Sequence, residues 1–588
     1  MATPALPLPA TAEAELVAPQ PFERVPSVAA LIACVAFAAL LALPNLGARP
    51  LYAAGEVRNA LVAHEMIASG DWLQPRLNGA RYYEKPPLIY WSMAAAYELF
   101  GVSEATARLP AALAFLTTVG LVFGLGRELL GRRGAVASSL IFATAAAPYH
   151  FARFVSLDTV TTAAMTLAMY GLVIATRVDR TPGAAPSERA GALCFWLGAA
   201  LAGLTKGLIG IAFPVATALL YALLIGGRAT IPRLRPGLGA LILAAVWLPW
   251  HAALAWRDAA FLPFYILNEH IYRFLNIREP IDYAPLSVPA FWLATALWFF
   301  PWVLLLPSAA AATWRARRRL AIPALWALFV VGFFTLAKSR LEYYGQPAYP
   351  CLAVLIAAAW QLRYRRALLG GSAALFVIGG AVAILVWGYA DAHADITSLV
   401  ATTDGYYREY FQKRPDRAFF FGHEALLTGR PFALWLLALG STAVWALSRH
   451  RIWLAFACWV AFLTPALNVF DRGIMLLVDD RSQKHAAELV RERWQDGDRL
   501  AVVGNYEDGA GLTFYTGLPT LMVDGADGDM LFGYRQGDVP DRFLDRPAFD
   551  ALWHSPTRVF ALAQIEKAPD DGTVLLETPR HRLMVNHP

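Results

Sequence analysis

Lysine is scarce in this chain. Only six occur in 588 residues, at 85, 206, 338, 413, 484 and 567, so arginine supplies nearly all of the 50 basic side chains. Charged residues of both signs make up only 16% of the sequence while 57% is hydrophobic, a balance that excludes an ordinary soluble enzyme. Cysteine is scarcer still: Cys34, Cys194, Cys351 and Cys458 all lie inside apolar runs, which excludes a disulfide framework and a paired-cysteine metal site. A formal charge of +6 and a pI near 9.1 would point a soluble chain toward nucleic acid. In a membrane chain the basic residues must first be sorted by membrane side, and no nucleic-acid partner is expected.

Long apolar runs are what the chain has in excess. A spanning helix needs about 20 mainly apolar residues. Eight such runs cover 28–47, 107–126, 158–176, 207–226, 237–256, 288–307, 367–388 and 431–448, and five shorter or Pro-interrupted ones cover 134–149, 190–205, 320–337, 346–362 and 451–470. Alternate short loops between them carry Arg127, Arg132 and Arg133; Arg177, Arg180 and Arg189; Arg228, Arg233 and Arg235; Arg315 and Arg317 to Arg319; Arg363, Arg365 and Arg366; and Arg449 and Arg451. Loops rich in basic residues face the cytoplasm, so the N-terminus is inside and thirteen spans put the C-terminus outside. The first run follows 27 Pro/Ala-rich residues without a basic start or a small-residue cleavage site, and reads as an anchor.

On this map the loops 48–106, 257–287 and 389–430 face outward, as does 471–588, where acidic residues become frequent and short β-rich runs such as Leu500–Val503 and Val559–Leu562 alternate with helical stretches. Residues 1–470 are thus expected to form a transmembrane domain and 471–588 a small α/β domain. Within the first outer loop the spacing of Val57, Leu61, His64 and Ala68 predicts an interfacial helix over 56–69, ended near Gly70. The run Asp527-Gly528-Asp529 reads as a turn rather than a sugar-nucleotide motif, since nucleotide donors are absent outside the cell.

Ionisable residues near membrane depth are functional candidates. Asp158 opens an apolar span, Lys206 separates two, and Lys338 with Arg340 precedes Tyr343-Tyr344; Asn268-Glu269-His270-Ile271-Tyr272-Arg273 adds a second cluster on the outer side. Any one of them singly is better read as a side chain reaching for lipid headgroups. Together, and with Lys85, Lys206, Lys338 and Lys413 all mapping outside, they point to a lipid phosphate as ligand, bound by point charges and by arginine forks.

The string Glu65-Met66, Ser69-Gly70-Asp71-Trp72, Glu84-Lys85-Pro86-Pro87 and Tyr90-Trp91 resembles the first outer loop of the bacterial aminoarabinose transferase (ArnT-like) family, within the GT-C group that includes protein O-mannosyltransferases. The resemblance continues through Phe100-Gly101, Arg108, Leu157-Asp158, Thr205-Lys206-Gly207, Glu269-His270 with Arg273, and Ala337-Lys338 with Leu341 and Tyr344. It implies a mainly α, polytopic GT-C fold with juxtamembrane helices on the outer face and a C-terminal α/β domain. The implied activity moves an aminoarabinose-like or other sugar from a polyprenyl-phosphate carrier to a lipid A-type or other envelope acceptor, at the periplasmic face of the bacterial inner membrane. The enzyme would act as a monomer among membrane lipids and need no cofactor, with a divalent cation left open.

Lys85, Arg273, Arg58 and Tyr344 look like the set that stabilises the leaving phosphate, with Glu84, His270, Lys206, Lys338 and Arg340 around them. Where the family carries Asp-Glu at the start of the first loop, this chain has Gly55-Glu56, so Glu56 is expected to take over as base, with Asp158 or Glu84 as other candidates. Arg340-Leu341-Glu342 stands where the family has a Lys-Leu-Pro-like stretch. Two other readings remain: a lipid or glycolipid transporter, disfavoured because the ionisable residues gather at one face instead of midplane, and a non-catalytic lipid-binding relative, suggested by Gly55.

Overall fold

The computed structural model describes residues 27–176, 185–280, 285–391, 415–478, 481–525, 528–578 and 580–587. Arg177, Arg180, Lys413, Asp527, the first 26 residues and most of the loop 389–430 lie outside them.

Each expected apolar run falls on helix. Among the described residues seven helices are long and apolar enough to cross a bilayer, or eight if the pair Val288–Trp298 and Trp302–Arg315, bent by 99°, counts as one span. The expectation of thirteen crossings is larger than this number. Two of its runs share the 40-residue helix Glu104–Ala143, broken at Gly131 where φ is 76°, and two others lie on helices of only 16 residues, Ser27–Ala42 and Ala321–Leu336. The last helix, Ile452–Val478, continues past residue 470, so the change of architecture follows Val478.

The chain is a polytopic membrane protein. Its peripheral helices expose large apolar side chains, such as Leu223 at 80%, Ile384 at 76% and Trp256 at 95%, that only an apolar solvent accommodates. Inside the bundle, small residues let helices touch backbone to backbone. Gly171, Gly191 and Gly198 bring Leu157–Ala175 against Ala185–Lys206 so closely that an added Cβ would overlap the neighbouring main chain.

The loop 48–106 folds first as helix α1, Ala54–Ser69, closed by Gly70 in the left-handed region at φ 70°. A hairpin follows, β1 (Arg76–Leu77) and β2 (Ala80–Arg81), turned by Asn78 and Gly79, whose φ values of 49° and 82° suit a two-residue hairpin turn. Beyond the membrane helices come β3 (Arg499–Val503), α2 (Tyr506–Thr516), β4 (Leu521–Val523), β5 (Phe543–Leu544), β6 (Val559–Gln564), β7 (Thr573–Glu577) and β8 (His581–Val585). They form one sheet in the order β5-β4-β3-β6-β8-β7, with the first four strands parallel and the last two antiparallel.

This sheet domain packs directly on the first loop. Val57, Leu61 and Met66 of α1 share a core with Leu500, Val502 and Phe560 of the sheet. The apolar face of α1 is therefore covered by protein, where the sequence led us to expect the membrane interface. Polar ties fix the contact: the Tyr515 hydroxyl accepts from Leu51 N at 2.7 Å, Ser482 donates to Leu51 O at 2.9 Å, and Lys484 pairs with Glu104 at 2.7 Å.

Candidate functional site

Three segments distant in sequence meet at the end of the bundle that carries the loop 48–106. Glu84-Lys85 leads from the hairpin into helix Leu88–Phe100, where the helix-compatible φ of Pro87 starts the first turn. Glu269, His270 and Arg273 lie on Phe264–Tyr272, wound as a π-helix, and its α-helical continuation Arg273–Leu275. Lys206 closes the helix Ala185–Lys206 just before Gly207. Glycine is required there twice over: φ is +86°, and a Cβ would overlap His270 Nε2.

A cavity of about 90 Å³ opens between these segments. Glu84, Lys85, Lys206, Glu269, His270, Arg273 and Tyr344 form its polar wall; Ile209, Phe274, Phe333 and Phe334 form an apolar one. The polar wall is a network. Lys85 Nζ lies 3.3 Å from Glu269 Oε2 and 3.6 Å from Glu84 Oε2, and Arg273 pairs with Glu269 at 2.6 Å. Arg278 bridges the two carboxylates, reaching Glu269 at 3.2 Å and forming a close ion pair with Glu84. The Tyr82 hydroxyl donates to Glu84 at 3.3 Å.

Burial decides which of these groups an incoming ligand meets. The Glu269 side chain is 1% exposed and Glu84 4%, whereas Lys85 is 19% and Arg273 22% exposed. Lys85 and Arg273 are therefore the groups foremost in the cavity, with the two carboxylates and Arg278 behind them. Burial and the neighbouring Arg273 guanidinium depress the Lys85 pKa below the usual lysine value, so an added anion at this point would relieve an existing strain. Lys206 is held by Asp158 in a close ion pair and sits 4.6 Å from the Tyr344 ring centre, a cation–π contact. His270 Nε2 accepts from Leu208 N at 2.9 Å, which leaves Nδ1 to donate to Tyr265 O at 2.7 Å: the ring is the neutral tautomer, consistent with a pKa lowered by burial.

Five residues expected at the site stand elsewhere. Glu56, expected as base, is fully buried and locked by Arg108 at 2.8 and 3.1 Å, with Val155 N donating to it at 3.1 Å; these contacts pin the start of α1. Arg58 turns to Glu507 of α2 at 2.6 Å. Asp158 orients Lys206 and is not part of the cavity wall. Lys338 is exposed while its neighbours Ala337 and Ser339 line the cavity. Arg340 donates to the carbonyls of Ala337 at 3.0 Å and Leu286 at 2.8 Å, stapling its own turn. Glu269, expected in the cluster 268–273 without a role of its own, and Arg278, not expected at all, complete the network. The four-residue spacing of Glu269 and Arg273 on one helical face was a signal for the first; no pattern in the sequence singles out Arg278. Among the described residues no group of three or more His, Cys, Asp or Glu is arranged to hold a metal ion.

Residues 84–252 match the family described as dolichyl-phosphate-mannose-protein mannosyltransferase. The chain is 31% identical over 322 residues to an undecaprenyl phosphate-α-4-amino-4-deoxy-L-arabinose arabinosyl transferase of Aeromonas hydrophila, covering 53% of this chain and 56% of the relative. It is 33% identical over 335 residues to the corresponding transferase 1 of Sodalis glossinidius, covering 55% and 57%. The crystal structure of ArnT from Cupriavidus metallidurans bound to undecaprenyl phosphate superposes with a TM-score of 0.81 at 24% identity, over 95% of this chain and 98% of that one. The chain is similar to the aminoarabinose transferases and has their fold. In sequence it spans between 56% and 60% of the length of the first relatives it matches. The apo form of the same ArnT gives a TM-score of 0.79. That agreement shows the shared, mainly helical fold with its C-terminal sheet domain.

Proposed function

We propose that the chain is a membrane glycosyltransferase that moves a sugar from a polyprenyl-phosphate carrier to a lipid A-type or other cell-envelope acceptor. It works as a monomer at the periplasmic face of the bacterial inner membrane. The observation that carries this reading is the cavity whose cations, Lys85, Arg273 and Lys206, stand forward of the buried Glu84 and Glu269 and opposite a wall of phenylalanines. Such a cavity suits a phosphate attached to a hydrocarbon chain. The names of the sequence relatives support the same donor class.

In this reading an oxygen of the acceptor attacks the anomeric carbon of the donor sugar. A new C–O bond forms as the bond from that carbon to the carrier phosphate breaks, and the bonding pair leaves with the phosphate. Lys85 and Arg273 stabilise the charge that grows there, the step at which fixed cations accelerate a reaction most. Glu84 and Glu269 hold those cations in place, and Lys206, oriented by Asp158, adds a third contact beside Tyr344. An acceptor phosphate is already anionic and asks for little base assistance, so the burial of Glu56 is no obstacle.

Incubating the purified chain with radiolabelled polyprenyl-phosphate sugars and envelope lipids tests the reading. Label transferred to the acceptor supports it; binding without transfer, or translocation of label across vesicles, replaces it with one of the two rivals.

A further inference from the structure

A second and larger cavity, about 310 Å³, lies on the outer side between α1, the hairpin turn and the sheet domain. It shares no lining residue with the first. Two half-buried guanidiniums border it, Arg76 from β1 and Arg542 from the segment before β5. Each of them donates hydrogen bonds to neutral oxygens, and both act on the Glu65 carboxylate only through space. Arg76 donates to Gly79 O at 3.1 Å and to the Gln74 amide at 2.9 Å, and Arg542 donates to Asn78 O at 2.8 Å and its amide oxygen at 3.2 Å. Arg58, Arg81, Arg273 and Arg278 on the same side all pair with carboxylates.

The one acid among the described lining residues, Glu65, is already committed: its two oxygens accept from Asn78 N at 2.5 Å and Gly79 N at 2.9 Å, which fixes the turn that presents Asn78. Two cations against one acid engaged by backbone leave the cavity positive. Its remaining wall carries apolar surface from Leu61, Leu518 and Pro519, on which the apolar face of a sugar ring can lie, while the hydroxyls of Ser69 and Thr513 are engaged by Glu65 O and by Tyr506 and Thr520.

We infer that this cavity is a binding site for a phosphorylated saccharide, separate from the transfer cavity, with Arg76 and Arg542 holding the phosphate. The donors left on the two guanidiniums suit an oxyanion with several acceptor oxygens. Placed on the outer face beside the transfer cavity, the site suits the phosphorylated headgroup of an envelope glycolipid; this last step rests on the transferase reading, while binding itself does not.

The test uses the detergent-purified full chain and N-acetylglucosamine 1-phosphate as probe, followed by ligand-observed NMR and calorimetry. Uncharged N-acetylglucosamine and inorganic phosphate serve as the two comparison ligands. Binding of the sugar phosphate is expected to weaken about tenfold or more in Arg76→Gln with Arg542→Gln, the scale of a lost charge-assisted hydrogen bond. It is expected to weaken equally in Ala68→Trp, which fills the cavity from an exposed position on α1 without touching either arginine contact, and to stay unchanged in Lys85→Ala. Thermal unfolding of each variant separates lost binding from lost folding. Three results would overturn the inference: equal binding of the uncharged sugar, equal binding of phosphate alone, or loss confined to Lys85→Ala. Failure of sugar transfer in the wild type would remove the transferase reading and leave this site standing.

Discussion

At one end of the helical bundle arginines meet carbonyls; at the other they meet carboxylates. Arg319 donates to Leu129 O and to Glu128 O, the latter at 3.0 Å, and Arg365 donates to Leu447 O at 2.7 Å and Ser448 O at 3.1 Å. These guanidiniums cap the unpaired carbonyls at helix C-termini, where the helix dipole favours positive charge, and they tie neighbouring loops together. At the other end Lys85, Arg273 and Arg278 share Glu84 and Glu269 around a cavity. The same residue type thus ties loops where its partners are main-chain dipoles and, in the proposed reading, serves chemistry where they are buried acids. A carbonyl contact orients a guanidinium without neutralising it. At the carboxylate end buried acids hold Lys85 and Arg273 toward one cavity.

The sharpest way to break this comparison is through its most buried ion pair. Arg108→Ala leaves Glu56 uncompensated at zero exposure, and we expect a loss of about 3–5 kcal/mol of stability, read as poor folding yield and an early melt. By the same argument Glu56→Gln should damage folding before turnover; a well-folded but inactive Glu56→Gln would restore that residue as a base. Next in size, Lys85→Ala and Arg273→Ala should each slow sugar transfer by about 10²–10³-fold, with melting temperatures near wild type. Unchanged transfer rates in both would remove the site.

The pH dependence follows from the depressed Lys85 pKa. Lysine binds an anion only when protonated, so kcat/KM should be full on the acid side of that pKa and fall as pH rises through it, earlier than an ordinary lysine would allow. Lys85→Arg, permanently charged, should flatten that alkaline limb. A limb that persists in Lys85→Arg would assign it to another group. Smallest of all, Arg319→Gln or Arg365→Gln should cost about 0.5–1.5 kcal/mol in stability, the worth of an ordinary hydrogen bond, and leave transfer rates unchanged. A large loss of transfer from either would end the distinction between the two ends.

Much of this was legible in the residues themselves, for identifiable reasons. Helix α1 was announced by the spacing of Val57, Leu61, His64 and Ala68 and by the terminating Gly70, because local geometry alone decides both. Lys85, Arg273, Lys206, Glu84, His270 and Tyr344 do line one cavity, and their scarcity or clustering marked them. Glu56 and Arg58 misled because partner choice is not local: Arg108 lies 52 positions from Glu56 and Glu507 lies 449 from Arg58. Arg278 escaped notice for the same reason, since its value lies in bridging Glu84 and Glu269, which only the folded chain brings within reach of one guanidinium.

What the amino-acid sequence determined by itself is therefore the solvent and the periodicity. Runs of apolar residues demand a bilayer, arginine-rich loops sort its two sides, and helical spacing sets where each segment turns, because these depend on free energies summed over neighbours in the chain. Only tertiary structure decided which charge meets which. Electrostatic pairing falls off over a few ångströms and is strongly discounted by water, so it is set by the burial and approach of side chains from remote segments. That is why the same count of cations could be read as a site from the sequence, while the carboxylates that aim them, and the second cavity beside the sheet domain, became visible only in the fold.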